Sequence, residues 1–117
     1  MKLSEILQEL EAEIVVDAGN LDTDIKSACG SDMMSDVLAF AKDRSVFLTG
    51  LMNAQVVRTA EMMDMRSIIF VRGKEVDDMV KKLAEQMEIT IATTHCTMFT
   101  ACGKLYSLGI RGACERQ

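Results

Sequence analysis

Three times in the second half of this chain an apolar, β-branched run stops abruptly at small or polar residues, and a helix-patterned segment follows. The runs are SVFLTG (Ser45 to Gly50), SIIFVRGK (Ser67 to Lys74) and ITIATTHC (Ile89 to Cys96). Short buried strands alternating with amphipathic helices build βαβ units and a parallel sheet. The runs are nearly continuous in apolar residues rather than alternating, which places helices over both faces of that sheet. The expected fold is therefore α/β, with a mainly parallel sheet whose central strands are Val46–Leu48, Ile68–Val71 and Ile89–Ala92.

The rest of the chain fits this frame. Leu3, Ile6, Leu7 and Leu10 recur at helical spacing, Glu13 to Val16 reads as a strand, and Ile25 to Cys29 as a weaker one. After the break at Gly30–Ser31, Ser35 is a candidate cap for a helix with the stripe Met34, Val37, Leu38 and Ala41. Further helices are expected from about Asn53 to Met63, from Glu75 to Met87 with Met79 and Val80 inward, and from about Thr97 to Leu108. Gly109 and Gly112 are expected to end regular structure. There is no proline, no low-complexity stretch and no linker, so residues 1–117 are read as one domain, a size that buries a core without staples.

Composition excludes some classes. Lys and Arg total 13 against 18 Asp and Glu, a net charge of −5, which argues against a nucleic-acid partner. The longest apolar stretch falls well short of the ~20 residues of a membrane span, and the charged segment MKLSEILQEL has no signal-peptide core. A cytoplasmic protein is expected. Cys29, Cys96, Cys102 and Cys114 show no CxxC spacing and are read as reduced thiols.

In a parallel sheet, ligands bind where loops leave the carboxyl ends of the strands. Three such loops bring Thr49, Gly50 and Asn53; Arg72, Gly73 and Lys74; and Thr94, His95 and Thr97. Paired cations and helix N-termini favour an anion such as phosphate or carboxylate. Neither GxxxxGK[ST] nor GxGxxG is present. General acid–base work needs a positioned titratable group, and the rim offers only His95 and Cys96, so no catalytic residue, metal or cofactor is assigned. A second reading makes Cys29, His95 and Cys96 a thiol- or metal-dependent redox centre. A third makes the domain a structural protein-interaction module with no ligand. Met33, Met34, Met52, Met62 and Met65 exceed the needs of one small core, which points to a self-association surface and a homodimer.

The order of these pieces, LSEILQEL, EIVV, SDMMSDVLAF, VFLTGLMNAQVVRTAEM and then SIIFVRGKEVDDMVKKLAEQMEITIATTHCTMFTACGKLY, resembles the DRTGG domain family. The signature that names the family is missing: Leu51 and Met52 stand where an acidic–basic pair usually follows the glycine. Arg72 and Gly73 stand where a double glycine usually ends the next strand, so only Gly50 and Gly73 carry over. The resemblance implies an α/β domain similar to the N-terminal domain of HPr kinase. It also implies a regulatory or dimerising part, of the kind that accompanies phosphotransacetylases and CBS-bearing pyrophosphatases, with a small anionic metabolite, a nucleotide or a protein as partner.

Overall fold

A computed structural model describes residues 1–41 and 44–112, apart from the side chain of Phe40. In chain order the elements are α1 (Leu3–Glu9), β1 (Glu13–Val16), β2 (Ser27–Gly30), α2 (Met34–Phe40), β3 (Val46–Thr49), α3 (Ala54–Met62), β4 (Ser67–Phe70), α4 (Asp78–Met87), β5 (Thr90–Thr93), α5 (Met98–Ser107) and β6 (Arg111–Gly112). The strands form one sheet in the order β1-β5-β4-β3-β2-β6. The expected central strands pair in parallel, as Phe47↔Ile68 and Ile68↔Ile91 show, and β2 and β6 continue the parallel run. Among the described strands only β1 is antiparallel, with Glu13 opposite Thr93 of β5.

Side chains of a strand alternate between faces, and here both faces are apolar. Phe47, Ile68, Phe70 and Ile91 point to one side, where Met34 and Val37 of α2, Val56, Val57 and Ala60 of α3, and Val80 and Ala84 of α4 cover them. Val46, Leu48, Ile69, Val71 and Ala92 point to the other, under Leu3, Ile6 and Leu7 of α1 and Ala101 and Leu105 of α5. The steps β2-α2-β3, β3-α3-β4 and β4-α4-β5 march one way across the sheet with all three helices on one face, as crossovers of a single hand require. The chain then returns over the opposite face through α5. No helix among the described residues is long and apolar enough to cross a membrane.

Several boundaries differ from expectation, each for a local reason. Helix α4 starts at Asp78 rather than Glu75, because the Asp77 carboxylate accepts the Met79 N–H at 2.8 Å and so caps the helix there. Lys81 lies 3.8 Å from the Asp78 carboxylate one turn back. Met79 is 68% exposed rather than inward. Ser35 lies inside the first turn of α2, and Met33 occupies the cap position without a side-chain bond. Gly109, with φ +100°, does end α5, yet the chain then adds the two-residue strand β6 beside β2.

Candidate functional site

Because β2 to β5 are parallel, the loops 31–33, 50–53, 71–77 and 94–97 all leave the sheet at one edge. Antiparallel β1 begins at that same edge. Gly50 is the centre of the arrangement. The Lys74 ammonium and, at 3.4 Å, Nη2 of Arg72 both donate to its carbonyl oxygen. A Cβ on Gly50 would lie 2.3 Å from Nη2 of Arg72, so any side chain there displaces the guanidinium.

Arg72 and Gly73 both have left-handed backbones, with φ of +67° and +65°. For Arg72 this costs roughly 1 kcal/mol, and the turn it creates is tied down. The Arg72 N–H donates to the Cys96 carbonyl and the Gly73 N–H to the Thr94 carbonyl, both at 2.8 Å. The loop after β4 is thereby stitched to the loop after β5. His95 closes over this turn: a Cβ on Gly73 would sit 2.7 Å from its Nδ1. Gly50, Arg72, Gly73, Lys74 and His95 thus form one continuous set of contacts.

The other four predicted residues hold the loops. Thr49 is buried, donating to Oδ1 of Asp32 at 3.0 Å and accepting the Leu51 N–H at 3.1 Å. Thr94 is buried too, donating to the Leu10 carbonyl at 2.7 Å and accepting the Cys96 N–H at 3.2 Å. Asn53 caps α3 by accepting the Val56 N–H at 3.0 Å, and Thr97 caps α5 through the Thr100 N–H. Neither helix carries an acidic residue in its first turn, whereas α4 has Asp77 and Asp78 against its own N-terminal dipole.

Asp32 belongs to the site although the sequence reading passed over it. Its Oδ1 accepts the Gly50 N–H at 2.7 Å as well as the Thr49 hydroxyl. The Gly50 N–H holds this carboxyl below the usual carboxylate range, helped by the Thr49 hydroxyl and by the charges of Arg72 and Lys74 and opposed by partial burial. The available signal was positional: a polar loop after a strand parallel to the others must lie on the same edge.

Beside this cluster, between the start of β1, the end of β5 and the loop before α4, lies a cleft of about 620 Å³. Its walls include Glu11, Glu13, Lys74, Val76, Lys81 and His95, so its charge is mixed. The thiols do not meet there. Cys29 packs with the core under α2, α3 and α4, while Cys96 packs on the opposite core under α1 and α5, so the sheet itself separates them. Among the described residues no three of His, Cys, Asp and Glu are grouped closely enough to hold a metal ion, so the triad Cys29, His95 and Cys96 does not form one. Cys102 is half-buried against Gly30 and Met98, and burial raises its thiol pKa. Cys114 lies outside the described residues. Of the surplus methionines, Met34 and Met65 are buried and Met52 packs against the core, leaving Met33 and Met62 exposed.

The architecture is that of a sheet-centred α/β domain with a polar strand-end rim. No family model and no curated protein matches the sequence. Among solved structures the chain is similar to the CBS and DRTGG domains of the regulatory region of Clostridium perfringens pyrophosphatase, in complex with the activator diadenosine tetraphosphate. The TM-score is 0.76 at 20% identity, over 89% of this chain and 45% of that one. The chain spans less than half of that regulatory region, and the likeness is one of fold.

Proposed function

We propose that this domain is a regulatory or sensory module of the cytoplasm, without catalytic activity, that forms a homodimer and binds a small phosphate- or nucleotide-like anion at its strand-end rim. The observation that carries this reading is the convergence of Arg72 and Lys74 on the Gly50 carbonyl. Two cationic heads share one neutral acceptor, so donors on both remain for an incoming anion. The N-termini of α3 and α5 open on the same edge and add positive potential. The structure of similar fold belongs to a regulatory region and was solved with a dinucleotide activator, which supports a regulatory role and a phosphate-bearing ligand.

A thermal-shift and calorimetric series with inorganic phosphate, AMP, ATP and diadenosine tetraphosphate tests the site. A hydrogen bond to a charged partner contributes about 1.5–3 kcal/mol when well formed, and the exposure of Arg72 reduces this. Arg72→Ala should weaken binding at least about threefold and leave the circular dichroism spectrum unchanged. Absence of any stabilisation, or an affinity indifferent to Arg72→Ala, overturns the reading. The protein-interaction reading draws on a separate observation: Phe99, in the first turn of α5, is 88% exposed. It becomes the preferred one if the anion series is silent.

A further inference from the structure

Gly50 is gripped at its N–H and at its carbonyl by groups of opposite charge. The two cations hold its carbonyl, and the Asp32 carboxylate holds its N–H. Among the described residues Oδ1 of Asp32 is the oxygen that accepts, from the Gly50 N–H and the Thr49 hydroxyl, and the residue is exposed, which leaves Oδ2 to an incoming donor. The carboxylate is also pre-oriented, because both of its donors are buried parts of β3 and its loop. An anion drawn to Arg72 and Lys74 therefore arrives beside a fixed acceptor that repels bare negative charge and rewards a hydroxyl.

Resting on the anion-binding reading above, we infer that Asp32 is the specificity-determining residue of this rim, selecting ligands that carry hydroxyl groups close to their phosphate, as a sugar phosphate or a ribonucleotide does. A carboxylate at a strand end that accepts ribose hydroxyls while cationic or backbone donors hold the phosphate is a general solution in parallel α/β folds. The division of labour is chemical. Arg72 and Lys74 have only donors and cannot take a hydroxyl proton, whereas Asp32 has only acceptors and cannot take phosphate.

The experiment compares AMP with 2′,3′-dideoxy-AMP, and includes ribose 5-phosphate and inorganic phosphate, by calorimetry on the native chain, Arg72→Ala and Asp32→Asn. Asparagine keeps an oxygen for the Gly50 N–H and the Thr49 hydroxyl but turns an amide NH₂ to the ligand side. The native protein should prefer AMP over the dideoxy analogue by about tenfold, the value of one hydrogen bond to a charged acceptor. Asp32→Asn should bring that ratio to about one while inorganic phosphate binds as well as before or better. Because the ratio is taken within one protein, a loss of stability in the variant does not imitate the result. If ribose 5-phosphate keeps the affinity of AMP, the sugar phosphate alone is recognised. An Arg72-dependent phosphate affinity without hydroxyl preference, or with a preference that survives Asp32→Asn, overturns this inference alone. Silence of all four compounds overturns it, and silence of ATP and diadenosine tetraphosphate as well overturns the reading it stands on.

Discussion

Thr94→Val separates structure from recognition at the rim. Thr94 is 1% exposed, and its hydroxyl joins two distant pieces of chain: it donates to the Leu10 carbonyl at the end of α1 and accepts the Cys96 N–H. Valine is close in volume, so the substitution removes two hydrogen bonds without opening a large cavity. A buried carbonyl left without its donor costs roughly 1–3 kcal/mol, and the half-buried Cys96 N–H adds about 0.5–1 kcal/mol. The sum, about 1.5–4 kcal/mol, corresponds to a fall in Tm of about 6–16 °C for a domain of this size. Calorimetry or urea unfolding reads it directly. Thr97→Val is the control, because its hydroxyl caps an exposed helix end and should cost about 1 kcal/mol or less. A Thr94→Val protein within about 0.5 kcal/mol of the native one would show that this hydroxyl does not tie α1 to the loop after β5.

Two further outcomes are expected. The Asp32 carboxyl has a folded-state pKa below its ordinary 3.8, so its contribution to stability is complete above that value and disappears as pH falls through the lower folded value. The stability gap between native protein and Asp32→Asn should then be widest near neutrality and shrink in urea unfolding as the pH falls below about 5 and on through the lowered folded value, and a pH-independent gap contradicts the assignment. Light scattering at high micromolar concentration should return twice the chain mass, since a closed two-fold interface is the commonest way to bury exposed residues such as Met33 and Met62. A monomeric mass refutes the dimer.

The fold was legible where one physical signal dominated. Runs such as SIIFV have no amphipathic choice to make: every side chain from Ser67 to Val71 is buried, and the only structure that hides such a run on both sides is a covered parallel sheet. Strand β1 was located from its short β-branched stretch alone, since most of it is exposed. By contrast, β6 consists of Arg111 and Gly112, which carry no strand pattern and pair only because β2 presents an open edge. The start of α4 was misread because Glu75 and Val76 continue the helical periodicity, yet Asp77 competes for the first N–H and ends the pattern early. Met79 fell on the expected stripe but stands out of the core, because the buried line of α4 runs through Val80 and Ala84, and Met79 lies to one side of it.

The site divides along a chemical line that residue type alone does not reveal. A threonine or asparagine at a strand end satisfies the same N–H groups whether they belong to a helix start or to a bound ligand, so Thr49, Asn53, Thr94 and Thr97 looked identical in sequence. The folded chain uses the oxygens of all four on its own backbone or on Asp32. Arginine and lysine cannot be absorbed so completely, since one carbonyl accepts from both and several of their donors remain. Asp32 escaped notice for the opposite reason: a single acidic residue in an acidic chain carries no pattern, and its meaning comes entirely from Gly50 eighteen positions away. What distinguishes a recognising rim from a merely folded one is therefore the balance of unused donors and acceptors after folding. At this edge the donors of Arg72 and Lys74 not used on the Gly50 carbonyl, and the second carboxylate oxygen of Asp32, are the groups on which the proposed recognition of an anionic, hydroxylated ligand rests.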